Sequence, residues 1–313
     1  MPGPATDAER RFATPNRRAI CGGLLAIVAV PIAGLADEAA FGDRPRYTDR
    51  SLGAVPNAQA IGKRIWAPGL DEGFVPQGLT VFGGEVLVAA YRSTDPDQDN
   101  GPSRVFRLAR GDGRLLGGFD LPAAYGHPGG LAMAGSTLYV ANSGRLLALR
   151  LSQDPQTDPQ TLGEWRVERG MGPSFLAGDG QALWFGPFRR EGEPKLYRLP
   201  LERLAADRTA PITPADADRA IPLPLLAQGA TVDGSGVLWI SASAGNRQGA
   251  LHRIDPASGE VLARYPMPGG IEDLGFSSDG RLWAVSEAGS QRWNRWDTFY
   301  PLVFEIDVAK LMP

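Results

Sequence analysis

The chain carries VPQGLTV at residues 75–81 and, much later, LAQGATV at residues 226–232. In both stretches a Gln-Gly pair opens a short apolar run, and a turn containing glycine leads into a second run. Short runs of this kind, joined by tight turns, are typical of β-hairpins. A corner that occurs twice predicts a repeated structural unit.

The same unit occurs five times from residue 74 onward, at spacings of about 44 to 54 residues. Its first strands begin at PQGLTV, PGGLAM, PSFLAG, AQGATV and IEDLGF. A glycine turn and a second apolar strand follow each of them, and the first four units continue with a third and a fourth strand. The fifth unit ends after its third strand, near Pro313.

A strand of the missing kind, KRIWAPG at residues 63–69, stands before the first unit. An N-terminal strand that completes the last blade closes a ring, which buries the blade faces and leaves only short edges. The sequence therefore predicts an all-β, five-bladed β-propeller of four-stranded blades, the last one closed by the N-terminal strand. The alternative is a six-bladed ring, with a degenerate blade in residues 201–226.

The composition supports this architecture and limits the function. Forty Gly and 27 Pro suit many turns and few helices, and 43% hydrophobic residues allow a sizeable core. A net charge of −3 disfavours a nucleic-acid-binding surface, which usually needs a clustered basic face. The single Cys excludes an intrachain disulfide and a Cys-based metal site.

The N-terminal region differs from the repeats. Arg17 and Arg18 precede an apolar stretch that ends in small residues near Ala36. This layout predicts an export signal over residues 1–36, of the twin-arginine type. The alternatives are an ordinary Sec signal and an uncleaved membrane anchor formed by residues 19–36.

The rest of the chain is divided into two parts. Residues 37–62 are predicted as a linker and residues 63–313 as the propeller. We expect the protein to be exported to the periplasm or outside the cell, with membrane contact only through its N-terminal segment.

Four motifs together resemble the secreted NHL-repeat, gluconolactonase-like β-propellers, especially bacterial exported members without an assigned activity. They are GFVPQGL, HPGGLA, DGSGVLWIS and SSDGRLWAVS. The resemblance covers most of residues 63–313. It implies a divalent metal at the channel mouth, held by a Glu near the start of the first blade and by Asn and Asp from later blades. Gln77 stands where that Glu is expected, with Asn142 and Glu272 as partial equivalents.

In a propeller, the loops that lead into the innermost strands and out of the second strands open on one face. The predicted ligand-binding residues on this face are Gln77, Tyr91, Arg92, His127, Asn142, Gln228, Glu272, Asp273, Glu287 and Trp293. Polar groups that are far apart in sequence would thus converge on one concave site for a small-molecule or protein ligand.

Some of these residues suggest chemistry. His127 is the candidate general base of a hydrolase, since imidazole titrates near neutral pH. Glu272 and Asp273 are candidate ligands for a divalent cation such as calcium, which prefers several oxygen ligands. The alternative interpretation pairs Glu287 with an Arg and gives these carboxylates a structural role. The sequence contains no G-x-S-x-G, H-E-x-x-H or Walker motif.

Three functions remain open on this basis. The first is ligand or protein binding at the channel mouth without chemistry. The second is a metal-dependent hydrolase of lactones or esters, and the third is a scaffold protein of the cell envelope.

Overall fold

The computed structural model describes residues 40–313. Regular structure in this range consists of β-strands and short 3-10 turns of three residues each. None of its helical turns is long and apolar enough to cross a membrane. The predicted export signal at residues 1–36 lies outside the described residues.

The strands form five antiparallel sheets of four strands each. The first strand in the chain is β1 (Ile61–Trp66). Blade one contains β2 (Phe74–Phe82), β3 (Glu85–Arg92), β4 (Ser103–Ala109) and β5 (Leu115–Asp120). Blade two contains β6 (Gly130–Ala134), β7 (Thr137–Asn142), β8 (Arg145–Arg150) and β9 (Gln160–Arg166). Blade three contains β10 (Phe175–Gly178), β11 (Ala182–Gly186), β12 (Lys195–Pro200) and β13 (Arg219–Pro222). Blade four contains β14 (Ala227–Val232), β15 (Leu238–Ala242), β16 (Gly249–Ile254) and β17 (Val261–Met267). Blade five contains β18 (Ile271–Phe276), β19 (Leu282–Ser286), β20 (Leu302–Ile306) and the N-terminal β1.

Blade five shows how the ring closes. Strand β1 pairs antiparallel with β20, with Ile65 opposite Val303, and forms the outer strand of the blade. This confirms the predicted five-bladed propeller closed by the N-terminal strand, although the strand begins at Ile61 rather than at residue 63. Residues 201–226 form two 3-10 turns and the outer strand β13 of blade three, so they contain no sixth blade.

The core lies between the blades. Each of five apolar clusters joins residues from two adjacent blades, so that every blade face is covered by its neighbour. The cluster between blades five and one includes Trp283 and Val285 from one side and Leu79 and Val88 from the other. Burying this apolar surface closes the ring and stabilises the contact between the two ends of the propeller.

The segment before β1 also belongs to the folded unit. Phe41 forms a parallel bridge to Ile65, and the main-chain N–H of Gly53 donates to the Phe299 carbonyl at 3.2 Å. Asn57 donates its side-chain amide to the carbonyl of Pro266 at 2.9 Å. Residues 40–60, which belong to the predicted linker of residues 37–62, therefore pack against the propeller.

One contact at the turn after the innermost strand differs between blades. In blade four, Trp239 Nε1 donates to Asp233 Oδ2 at 2.9 Å, and blade three repeats this contact. Blade five has Ser277 in that position. The Nε1 of its buried Trp283 has no hydrogen-bond partner in the described part of the chain.

Candidate functional site

Three of the five innermost strands begin with a β-bulge. The pairing register shifts at Gln77 in β2, at Gln228 in β14, and at Glu272 and Asp273 in β18. Strands β6 and β10 pair without such a shift. A bulge breaks the strict alternation of a strand and re-aims a side chain. The bulges therefore explain why these corners alone place long polar side chains at the channel.

The glycine after each of the two glutamines is required by a neighbouring strand. A Cβ on Gly78 would lie 3.0 Å from the Pro128 carbonyl oxygen, and a Cβ on Gly229 would lie 2.4 Å from Asp273 Cα. Main-chain atoms cannot move aside as a flexible side chain can. The repeated Gln-Gly pair thus combines a bulge with a close approach of two innermost strands.

Asp273 ties the innermost strands together at the centre of the ring. Its Oδ2 accepts the main-chain N–H groups of Leu79 at 3.0 Å and Leu131 at 2.9 Å, and its Oδ1 accepts that of Ala230 at 3.3 Å. Burial raises the pKa of Asp273 well above its usual range, and these main-chain donors oppose that shift. The carboxyl group therefore joins blade five to blades one, two and four.

Glu272 and Glu287 form a pair of neighbouring buried carboxyl groups. Gln228 Nε2 donates to Glu272 Oε1 at 3.0 Å. Gln77 Nε2 and Trp293 Nε1 donate to Glu287 Oε2 at 2.9 Å and 2.8 Å. Each of the two bulge glutamines thus holds one member of the pair.

Burial and mutual repulsion favour a single proton held by the two carboxyl groups. Burial, and next the charge of Glu287, raise the pKa of Glu272 well above its usual range. Burial raises the pKa of Glu287 to about 7, although its donors and the nearby Arg292 charge oppose the shift. Like charges in contact cannot both ionise cheaply in a desolvated site. The pair as a whole therefore favours keeping a proton at a higher pH than a solvent-exposed glutamate would.

His127 continues this network from blade two. Its Nε2 lies 2.9 Å from Gln77 Oε1, and its Nδ1 contacts the main-chain carbonyl of Asp99. Its main-chain N–H donates to Asn142 Oδ1 at 2.8 Å. The imidazole stacks on the Tyr91 ring, with 4.7 Å between the ring centroids. These contacts hold both nitrogens and one face of the imidazole in place.

The direction of these hydrogen bonds constrains the proton on His127. The Gln77 amide nitrogen donates to the Pro76 carbonyl and to Glu287, so the amide oxygen faces the imidazole. Both ring nitrogens then face acceptors, and a neutral imidazole can donate to only one of them. Burial lowers the pKa of His127 and the Asp99 carbonyl opposes this. Since neither ring nitrogen is free, the predicted role of His127 as a general base stays a prediction.

Trp293 and Arg292 come from the loop between β19 and β20. The Trp293 ring is covered by the Arg292 guanidinium on one side, at 4.3 Å from the ring centroid, and by the Trp296 ring at 4.5 Å between centroids. Arg292 donates to the Tyr91 hydroxyl and to the Pro96 carbonyl. Trp293 is thus a positioning residue for Glu287, because its ring faces are already occupied.

These side chains line one cavity at the mouth of the channel, which we call the mouth cavity. Its volume is about 1340 Å³. Of the ten predicted site residues, nine line it: Gln77, Tyr91, Arg92, His127, Asn142, Gln228, Glu272, Glu287 and Trp293. Asp273 is the exception, because its carboxyl group lies between the strands. That the nine contact a ligand stays a prediction.

Asp99 and Arg292 are among the cavity residues that were absent from the predicted set. Asp99 contacts His127 through its main-chain carbonyl, and every residue type has this group, so the sequence could not indicate the contact. Arg292 lies in a loop that the sequence marked as an extension of blade five, but no pattern distinguished it from Arg295 in the same loop. Burial separates the two, since Arg292 is buried and Arg295 is exposed.

The residues at the channel do not fit the metal site that the gluconolactonase-like resemblance implies. Gln77 offers an amide where a carboxylate is expected, and both oxygens of Asp273 accept main-chain N–H groups. Burial favours a proton on the Glu272–Glu287 pair, which competes with a cation. Residues 40–313 contain no group of three or more His, Cys, Asp or Glu residues arranged to hold a metal ion. The sequence-based prediction of calcium at Glu272 and Asp273 stays untested, and the contacts of Asp273 disfavour it.

No family model matches this chain. No curated protein matches it either. Similar solved structures include the PQQ-bound form of an aldose sugar dehydrogenase from Streptomyces coelicolor, at 14% identity over 74% of this chain and 94% of that chain, with a TM-score of 0.44. A luciferin-regenerating enzyme is 10% identical over 76% of this chain and 92% of its own, with a TM-score of 0.44. BamB from Moraxella catarrhalis is 13% identical over 72% and 70%, with a TM-score of 0.33. These matches assign no activity to the chain, and its propeller architecture follows from its own strand order.

Proposed function

We propose that the protein binds a small-molecule ligand in the mouth cavity. The observation that carries this proposal is the hydrogen-bonded network at the cavity floor, which draws His127, Gln77, Glu287 and Glu272 from three different blades. Buried polar groups are costly unless their partners are in place, so such a network fixes its members before any ligand arrives. Perturbed ionisable groups in a concave site are typical of functional sites.

The shape of the site favours a small molecule over a protein partner. The cavity is concave and holds about 1340 Å³, whereas drug-sized ligands usually occupy roughly 300–1000 Å³. A ligand with some bound water fits this space. The network groups lie on the floor, where an extended protein surface would not reach them without a protruding segment.

A ligand screen with a cavity-filling variant tests the proposal. Ser143 is exposed on the cavity rim, so Ser143→Trp fills the mouth without touching the network. Gln181→Trp is the matched control, since Gln181 is exposed in a turn on the opposite face. The panel contains sugars, polyols, amines, carboxylates and phosphates, and the readout is the midpoint of thermal unfolding.

We expect one class of compound to raise the unfolding midpoint of the wild type and of Gln181→Trp but not of Ser143→Trp. Equal shifts in all three proteins would place the binding elsewhere. No shift with any class would overturn the proposal.

Hydrolysis of lactones or esters is the second candidate function. It is favoured by one observation, the pair of neighbouring buried carboxyl groups on the cavity floor, where burial favours a proton. A protonated carboxyl group beside an ionised one offers an acid and a base at adjacent positions. Turnover of a lactone or ester panel that is abolished in Glu287→Gln would support this candidate. Turnover unchanged in that variant would exclude the pair.

We also propose that the protein is exported through residues 1–36. The support is the sequence layout of Arg17 and Arg18 before an apolar stretch that ends near Ala36. N-terminal sequencing of the mature protein tests this. A start near Asp37 agrees with cleavage, whereas a retained N-terminus agrees with the membrane-anchored scaffold.

A further inference from the structure

Two arginines among residues 40–313 are buried, and they are held in different ways. Arg107 forms a bidentate ion pair with Glu85, at 2.7 Å and 2.9 Å, and also donates to the Ser152 carbonyl. Arg292, which is 7% exposed, takes part in none of the ion pairs of the described chain. The charge of Arg292 therefore has no carboxylate partner such as Glu85, which neutralises Arg107.

The neutral contacts of Arg292 leave its hydrogen-bonding capacity incomplete. Two of its nitrogens donate to the Tyr91 hydroxyl and the Pro96 carbonyl, and its Nε has no partner in the described part of the chain. Aromatic rings of Tyr91 and Trp293 lie at 5.5 Å and 4.3 Å from the guanidinium carbon. These rings hold the guanidinium in place but do not neutralise it.

A buried cation normally faces an anion, since an unpaired charge in a desolvated site is costly. The charge of Arg292 lowers the pKa of Glu287, but the two side chains form no direct ion pair. The Oε2 of Glu287 already accepts bonds from Gln77 and Trp293, and burial favours a proton on the pair that Glu287 forms with Glu272. Glu287 thus compensates Arg292 only from a distance.

Two more arginines face the same cavity from its rim. Arg92 donates its Nε to the Glu72 carbonyl at 2.7 Å, and Arg190 lies over the Phe188 ring at 5.5 Å from the centroid. Both are exposed, line the mouth cavity and form no ion pair with any other described residue. They extend the positive charge of Arg292 to the entrance.

The acidic groups of the wall do not offset these three arginines. Asp120 is paired with Arg104 at 2.7 Å. Burial raises the pKa of both Glu272 and Glu287, which disfavours negative charge on this pair, and Asp99 is the other acidic residue of the wall. The mouth cavity therefore carries an excess of positive charge although the whole chain has a net charge of −3. Such a local excess attracts and orients anions.

We propose that the ligand of the mouth cavity is a small anion whose carboxylate or phosphate group pairs with Arg292, with Arg92 and Arg190 guiding it at the rim. This inference rests on the proposed function, because it names the chemical class of the same ligand. The guanidinium is suited to this task, since its planar donors match carboxylate and phosphate oxygens.

Matched pairs of compounds test the inference. Each pair differs only in its acidic group: succinate and succinamide, glycerol 3-phosphate and glycerol, gluconate and sorbitol. Binding is measured by calorimetry at low salt, because screening weakens contacts between exposed charges. Wild-type protein is compared with Arg292→Met, which keeps the stem of the side chain but removes the charge.

A second pair of variants guards against misfolding of Arg292→Met. Arg190→Gln removes a rim charge, and Arg189→Gln removes the charge of its neighbour, which is exposed but does not line the cavity. We expect the anion of at least one pair to bind more tightly than its neutral partner. That preference should fall by about tenfold or more in Arg292→Met, fall less in Arg190→Gln and persist in Arg189→Gln.

The outcomes separate this inference from the proposed function. Neutral compounds that bind as tightly as their anions, with equal loss in Ser143→Trp, would keep the ligand site and overturn its anionic class. An anion preference that survives in Arg292→Met would overturn the assignment of Arg292. Binding of no compound in any pair would remove both proposals.

Discussion

Replacing Glu287 by Gln should change how the stability of the protein depends on pH. The folded protein holds the Glu287 carboxyl group in a buried pair, where burial raises its pKa to about 7 from an ordinary value of 4.5. Below pH 4.5 the group carries a proton in both the folded and the unfolded state. As the pH rises from there to about 7, the unfolded chain loses its proton first, so rising pH favours unfolding.

The magnitude follows from the size of the pKa difference. One pKa unit corresponds to about 1.4 kcal/mol, so Glu287 should cost about 3 kcal/mol of unfolding free energy between pH 4.5 and pH 8. Glutamine at this position does not titrate, and this part of the loss should disappear in Glu287→Gln. Burial and the charge of Glu287 also raise the pKa of Glu272, so the loss of stability that comes from Glu272 should shrink in this variant as well.

Urea unfolding followed by tryptophan fluorescence measures this difference at several pH values. The wild type should lose unfolding free energy from pH 4.5 to pH 8, and this loss should be about 3 kcal/mol smaller in Glu287→Gln. Glu202→Gln is the control, since Glu202 is exposed on a 3-10 turn, and it should behave as the wild type does. Parallel pH profiles of wild type and Glu287→Gln would refute the raised pKa of Glu287.

Three further predictions follow from the same structure. Asp273→Asn should lower the unfolding free energy by about 3 kcal/mol or more, because an amide cannot accept main-chain N–H groups on both of its terminal atoms. The control is Asp207→Asn at an exposed position. Equal losses in the two variants would contradict the role of Asp273 in joining the blades. Ser277→Asp combined with Asp279→Ser copies the blade-four turn and offers a carboxylate to the unpartnered Trp283 Nε1–H group. This new hydrogen bond should stabilise the protein by about 1 kcal/mol. An unchanged urea midpoint would contradict this. Elemental analysis of protein purified without chelator should show no stoichiometric calcium. One calcium ion per chain would contradict the conclusion that the carboxyl groups at the channel do not suit a metal ion.

The architecture could be predicted from the sequence because its signals are local and repeated. Five corners with glycine turns, together with a displaced strand before residue 74, define the number of blades and the closure of the ring. Two features were not predicted, the start of β1 at Ile61 and the packing of residues 40–60 against the propeller, and both have the same cause. Residues 40–60 lack a repeat pattern, and their contacts to Ile65, Phe299 and Pro266 are made largely through main-chain atoms.

The site could be predicted only in part. The topology of a propeller brings loop residues to one face, and this rule was enough to place Gln77, His127 and Glu287 on one cavity. It could not show that the glutamines bind a carboxyl pair, because that depends on bulges whose register is set by strand pairing. Nor could it separate Asp273 from its neighbour Glu272, since successive residues of a bulged strand face different surroundings.

The most direct test of the account is a crystal structure of the protein with the anion that binds most tightly in the calorimetric comparison. We predict density for that anion in the mouth cavity, with its acidic group within hydrogen-bond distance of the Arg292 guanidinium and the Glu272–Glu287 pair beneath it. Density for the anion on another surface, with the mouth cavity filled by water alone, would contradict the account.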